Sequence, residues 1–269
     1  MSEVIVTVPL YKEIPSNEEK MSFLQLLKVL GQHPIAIVTH KELDLSQYIE
    51  LAEEKTLKIE YFPSTFFSNI EGYSKLLCAK AFYKRFEKYK FLLIYQLDAW
   101  VFRDELDFWC NLNHDYIGAP WFYEHNKKNA LETFYGVGNG GFSLRKISSH
   151  LKALNHFYQL ESYNAILRDF LTSRIGYIAI KNLFYNLTVR NFSHYMFNQH
   201  VIINEDVFWN LISKRNFKWY TVPDMITAGK FSSEINASLL FEANNRVLPF
   251  GCHAWQVYDR NFWKQFIET

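Results

Sequence analysis

Phe91-Leu92-Leu93-Ile94-Tyr95-Gln96-Leu97-Asp98 is the stretch that decides the fold. It is almost wholly apolar up to an abrupt acid, without the alternation of a half-solvated strand, so it reads as a strand buried on both faces. Strands of that kind belong to parallel sheets covered by helices on either side. Upstream, Val4–Val8 stopped by Pro9, Ile35–Thr39, and Lys58–Phe62 stopped by Pro63 are further short strands. Helical periodicity fills the gaps. Asn17 is placed to cap a helix with Met21, Leu24, Leu27 and Leu30 on one face, ending at Gly31, and a second helix is expected from about Tyr73 to Tyr89. This alternation predicts an α/β chain: a single domain with a mostly parallel central sheet and helices on both faces. In such sheets ligands bind beyond the carboxyl ends of the strands. Asp98 is therefore expected at the ligand-binding edge, with Pro9–Lys12, Thr39-His40 and Pro63–Thr65 as neighbours.

The second half is less regular. Asp115–Trp121 reads as a short strand running into a turn, Gly136–Gly141 is glycine-rich, and a helix is expected over about Ser148 to Leu160. The stretch 163–200 is aromatic and partly helical in pattern. No internal repeat or low-complexity linker divides the chain.

Composition narrows the function. The 269 residues include 29 basic and 28 acidic side chains, a formal charge of +1, which argues against a nucleic-acid coat. Cys78, Cys110 and Cys252 are scattered and odd in number, which fits a reducing compartment better than a disulfide framework. The start MSEVIVTVPLYKE lacks the pattern of a signal peptide, and no apolar run approaches the ~18 residues of a membrane span. A soluble cytoplasmic protein is expected. Aromatic residues make up 18% of the chain, enough to serve both a core and a ligand surface.

Four segments could carry chemistry. The Asp98 carboxylate, at a sheet edge, can take a hard divalent cation bridging a diphosphate, although an acid there also caps turns. Gly136–Gly141 reads GxGxGG, which is neither the dinucleotide fingerprint nor a P-loop. Its glycines permit positive φ or close backbone approach, and Asn139 among them could hold a sugar hydroxyl. Glu205-Asp206 opens a helical pattern, where the acids complement the helix dipole or supply a general base. His253 lies in a Gly/aromatic loop, as a packed ring or as a metal ligand through a neutral nitrogen.

Taken in order, YQLDAWVF (95–102), DYIGAPW (115–121), GVGNGGFSLR (136–145), NEDVFW (204–209) and PFGCHAW (249–255) resemble the GT-A class of nucleotide-sugar glycosyltransferases. More closely, they resemble a bacterial glycosyltransferase-like family found among surface-polysaccharide genes. The resemblance runs from Val4 to Trp255 and implies a role for each match. Asp98 would be the surviving member of an Asp-x-Asp motif, binding Mn²⁺ or Mg²⁺ and the donor diphosphate, with Trp100 in place of the second acid. His253 would complete the metal site. Val8, Pro9 and Tyr11 would lie near the base and ribose, and Tyr73, Lys75, Gln96 and Leu97 would add donor contacts. Asn139, Gly140 and Gly141 would line the sugar pocket. In an inverting reaction Asp206 would be the base and Glu205 would orient the acceptor. Residues 1–102 would form the nucleotide-binding half and 103–269 the sugar- and acceptor-binding half.

The implied substrates are a nucleoside diphosphate sugar, a UDP-sugar favoured, and a hydroxyl of a surface glycan or lipid-linked oligosaccharide. Such an acceptor would bring the protein into peripheral contact with the inner face of the cytoplasmic membrane, and no nucleic acid is implied. Two alternatives stay open. A sugar nucleotidyltransferase is disfavoured because Pro9–Glu13 lacks the glycine-rich loop expected after the first strand. A non-catalytic carbohydrate-binding protein would use the aromatic residues and be indifferent to nucleotide and metal.

Overall fold

The computed structural model describes residues 3–53, 55–156 and 204–267, with a few positions between 167 and 184. The stretch 163–200 thus lies almost wholly outside the described residues. Strands β1 (Val4–Pro9), β2 (Ile35–Thr39), β3 (Leu57–Tyr61) and β4 (Phe91–Tyr95) run parallel in the order β3-β2-β1-β4. Beyond them in the chain come β5 (Trp100–Val101), β6 (Tyr116–Ile117), β7 (Ala119–Phe122), β8 (Phe134–Gly138) and β9 (Phe142–Lys146). Strand β9 pairs antiparallel with both β4 and β6, extending the sheet to six strands that are mostly parallel. β7 and β8 form a separate antiparallel ribbon, and β10 (Ser232–Ser233) and β11 (Gly251–Cys252) join β5 in a small third sheet.

Helices α1 (Asn17–Leu30), α2 (Ser46–Ala52), α3 (Ile70–Leu77), α4 (Lys80–Arg85), α5 (Leu106–Asn111) and α6 (Ile147–His156) cover the central sheet. Alternate residues of β1 face opposite ways. Val4, Val6 and Val8 pack with Phe23, Leu26 and Leu30 of α1 and Trp109 of α5. Ile5 joins Leu76 and Leu77 of α3, Phe82 of α4 and Trp209 on the other side. Each such side chain contributes about 1.5–3 kcal/mol when fully buried, which is why a strand apolar on both faces calls for two helical layers. The expected architecture is the observed one.

Several boundaries differ from expectation, each for a local reason. Ser16, not Asn17, caps α1: its Oγ accepts from Glu19 N at 3.2 Å while the Glu19 carboxylate accepts from Ser16 N at 2.7 Å, a reciprocal capping box. The buried face of α1 is Phe23, Leu26, Leu27 and Leu30, spaced i, i+3, i+4, i+7, and Leu24 is 46% exposed. The helix expected over 73–89 is two, because the chain turns extended at Ala79 between α3 and α4. α3 also starts earlier, where Asn69 Oδ1 accepts from Gly72 N at 2.8 Å. The strand expected over 115–121 breaks at Gly118, where a Cβ would stand 1.7 Å from Gly138 O. Helix α6 is described only to His156.

The three cysteines are all buried. No helix among the described residues is long and apolar enough to cross a membrane. The closing segment docks on the protein itself, with Trp263 and Ile267 packed against Trp100 and Trp255.

Candidate active site in a polar cleft

A cleft of about 830 Å³ opens where β1 and β4 end. After Tyr95 the chain leaves the sheet: Gln96 N donates to Gly141 O at 2.8 Å and Ala99 N to Gln96 O at 2.9 Å. That tight turn brings Asp98 into the cleft, where it meets His253, which follows β11 and is anchored by its own N–H to Ser233 O at 3.1 Å.

The two side chains face each other in an unusual way. His253 Nε2 lies 3.1 Å from Asp98 Oδ1, yet the atoms are not aligned as a hydrogen bond and neither has another partner among the described residues. The opposite ring nitrogen, Nδ1, is 3.1 Å from Glu234 Oε1. Burial works against an ionised ring, but Asp98 and Glu234 together outweigh it and raise His253 to about 10. Burial likewise opposes the Asp98 carboxylate, and His253 reverses that, holding it below the usual range.

The pair fits a divalent cation. A carboxylate oxygen and an imidazole nitrogen face each other at 3.1 Å, where a cation would take the place of the proton the ring otherwise carries, and the far side of the imidazole rests on a second carboxylate, as metal-binding histidines do. Among the described residues no three or more His, Cys, Asp and Glu side chains are placed to hold a metal ion together. The protein would supply two donors, and bound phosphate and water the rest.

The glycine-rich loop abuts this pair in the cleft wall. No described glycine has a positive φ; Asn139 does, at 71°. Its Oδ1 accepts from Gly141 N at 3.1 Å and Phe142 N at 3.4 Å, which stabilises the left-handed turn from within. The glycines serve close approach instead. A Cβ on Gly140 would stand 2.4 Å from Glu205 Oε1, and one on Gly141 2.0 Å from His253 Nε2.

Glu205 and Asp206 open a helix, as expected: α7 (Glu205–Val207) continues into a π-helical turn at Phe208–Ser213. Adjacent in sequence, they have different surroundings. Glu205 is held by the buried guanidinium of Arg145, which also donates to Tyr83 Oη at 3.2 Å and Ser143 Oγ at 3.1 Å. Asp206 accepts from Asn139 N at 3.1 Å and Val207 N at 2.8 Å. Burial above all, and then the charge of Glu205, push Asp206 up to about 7.

Pro9, Tyr11, Tyr73, Gln96, Leu97, Asp98, Asn139, Gly140, Gly141, Glu205, Asp206 and His253 all line this one cleft. Two expected donor contacts do not. Val8 points into the core beneath the sheet edge, because alternation along β1 sends it to the α1 side. Lys75 pairs with Glu71 at 2.7 Å, one helical turn away on α3. Sequence reasoning missed Glu234, Gln256 and Arg145. The first two sit on short connections with no apolar run to frame them. Arg145 carried a signal, a charge within the strand-like stretch Phe142–Lys146, that received no role.

Around the Asp98–His253 pair, three buried polar atoms without a hydrogen-bond partner among the described residues line the cleft: Tyr73 Oη, Asn139 Nδ2 and Gln256 Oε1. Leaving such a group unpaired costs about 1–3 kcal/mol. Their shared direction marks a surface built for a polar ligand.

Three solved structures give the range of similarity to known folds. Core-mannan synthase A from Aspergillus fumigatus, in a Mn/GDP form, matches at 10% identity and TM-score 0.39, over 55% of this chain and 60% of that one. A cytidylyltransferase from Leptospira borgpetersenii matches at 12% and 0.34, over 57% and 64%. These alignments thus span less than two thirds of either relative's length. Mouse xyloside xylosyltransferase 1 matches at 9% and 0.48, over 94% and 97%. Among curated proteins no match is found. A family model does match, over residues 56–253, a span that takes in Asp98, the loop at Asn139, Asp206 and His253. The chain belongs to that family, described as "Protein of unknown function (DUF5672)".

Proposed function

We propose that this protein is a glycosyltransferase that moves a sugar from a nucleoside diphosphate donor, UDP-linked by preference, to a hydroxyl of a surface glycan or lipid-linked oligosaccharide. The observation that carries this reading is the gathering of three unpartnered buried polar atoms, Tyr73 Oη, Asn139 Nδ2 and Gln256 Oε1, around the Asp98–His253 pair in a cleft at the carboxyl ends of parallel strands. A diphosphate with its sugar offers the dense set of oxygens and hydroxyls such a lining requires.

Asp98 and His253 would hold Mn²⁺ or Mg²⁺. Bound there, a divalent cation neutralises charge developing on the leaving diphosphate. Glu234 fixes the ring orientation of His253 through Nδ1. Tyr11 and Tyr73 flank the donor end of the cleft, while Asn139 Nδ2 and Gln256 Oε1, a donor and an acceptor, take hydroxyls of the transferred sugar. Asp206 acts as general base. With its pKa raised to about 7 it can take the acceptor hydroxyl's proton at neutral pH and release it afterwards. Glu205, occupied by Arg145, keeps Asp206 and the Asn139 turn in register.

Calorimetry of the full chain with UDP, with and without Mn²⁺, tests the assignment. Metal-dependent UDP binding that disappears in Asp98→Ala is expected. Wild-type-like, metal-stimulated donor turnover in Asp98→Ala overturns it.

A further inference from the structure

A second aromatic feature lies outside the cleft. The register of the β7–β8 ribbon slips between Trp121 and Phe122: Trp121 pairs with Gly136 and Phe122 with Phe134, so Tyr135 is the extra residue. A bulge re-aims the extra side chain. Tyr135 accordingly stacks between two rings, 5.7 Å from Trp121 and 4.3 Å from Tyr123, with interplanar angles of 25° and 26°. The bottom of this ladder is fixed, since a Cβ on Gly138 would stand 1.7 Å from the Trp121 indole. The top is open, because Tyr123 is 79% exposed.

The three rings lie outside the cleft lining but are joined to it along the chain. Gly138 ends β8, and the next residue, Asn139, donates its N–H to Asp206. The same strand packs on the helical segment that Asp206 opens, since a Cβ on Gly136 would stand 3.5 Å from Leu211 Cδ2. The surroundings are polar: Asn126, Lys127 and Lys128, on the loop leaving β7, are exposed. An apolar protein partner would call for a contiguous apolar patch. A stacked ring with phenol edges in a polar frame instead matches a pyranose, whose C–H face packs on an aromatic ring while its hydroxyls reach outward.

We propose that the Trp121–Tyr135–Tyr123 ladder is an acceptor-saccharide platform, on which the outer face of Tyr123 holds the sugar unit next to the one presenting its hydroxyl to Asp206. This deepens the function proposed above and rests on it for the word acceptor. It implies that the acceptor is an oligosaccharide rather than a single sugar.

The test uses the full chain with UDP and Mn²⁺ and four neutral probes: cellotetraose, maltotetraose, chitotetraose and mannotetraose. Binding is followed by saturation-transfer NMR and tryptophan fluorescence. At least one probe is expected to bind the wild type. Tyr123→Ala, at an exposed position, should weaken that probe about five- to ten-fold, Tyr123→Phe should retain it, and UDP–Mn²⁺ affinity should not change in either. If none of the probes binds, or if the bound one is indifferent to Tyr123→Ala, the platform is overturned while the nucleotide reading stands. If UDP fails to bind but saccharide binding still depends on Tyr123, the proposed function falls and the platform survives as a glycan-binding surface.

Discussion

Arg145 and Glu205 form an ion pair with side chains only 0% and 6% exposed, and the next residue in the chain is Asp206. The guanidinium also lies over the Tyr116 ring at 5.2 Å. One strand residue therefore ties together β9, the Gly140 backbone packed on Glu205, and the start of α7.

Removing either charge should leave the other buried and unpaired. Arg145→Met is expected to lose about 3–5 kcal/mol of stability, seen as a lower urea midpoint. Arg145→Lys should recover little, because an ammonium cannot reach Glu205, Tyr83 and Ser143 in the planar arrangement a guanidinium provides. A wild-type midpoint in Arg145→Met would show that the pair organises nothing.

Asp206 should leave a signature in both rate and stability. As the base it must be ionised, so transfer should rise with pH through about 7 and then level off. Asp206→Asn should reduce transfer by about 10²–10⁴-fold. The stability sign runs the other way. The folded carboxyl holds its proton more tightly than the unfolded one, whose pKa is about 3.9. Its stabilising contribution is complete below that value and is lost as pH rises through about 7. Urea midpoints of wild type and Asp206→Asn should diverge across that window, with the variant gaining as pH rises. Parallel curves would contradict a raised Asp206.

Glu234 should matter without touching the substrate. Its carboxylate orients the His253 ring, so Glu234→Gln should weaken Mn²⁺ binding about 10–100-fold, with the fold unchanged by circular dichroism. Equal Mn²⁺ affinity in the two proteins would remove Glu234 from the site.

Gly141 offers a steric test. Alanine there would place Cβ 2.0 Å from His253 Nε2 and 2.8 Å from Gln96 Oε1. Gly141→Ala should displace the ring and abolish metal-dependent nucleotide binding, whereas substitution of the exposed Lys128 should do neither. Retained binding in Gly141→Ala would mean that His253 is dispensable.

What the sequence disclosed depended on range. The central strands were legible because burial on two faces requires continuous apolar runs, and Asp98 because it ends one of them. The breaks were not, since Ala79 divides a helix and Gly118 a strand for reasons of backbone and packing that composition does not show. Pairings across 60 or more residues, such as Arg145 with Glu205, were invisible for a different reason: each partner alone has an ordinary surface role. Of the two properties the glycine-rich loop offered, conformational freedom and close approach, the structure uses the second, as absence of volume beside Glu205 and His253.

The pairing of β1 with β4 also sets a schedule for synthesis. Val4 lies opposite Phe91, so the middle strand of the sheet keeps one open edge until β4 has left the ribosome. At about 5–20 residues per second that interval is on the order of ten seconds. β4 in turn waits for β9, whose Phe142 lies opposite Tyr95. An unsatisfied strand edge is a template for pairing with another chain. The nascent protein should therefore depend on chaperones until β9 has emerged to cover the edge of β4.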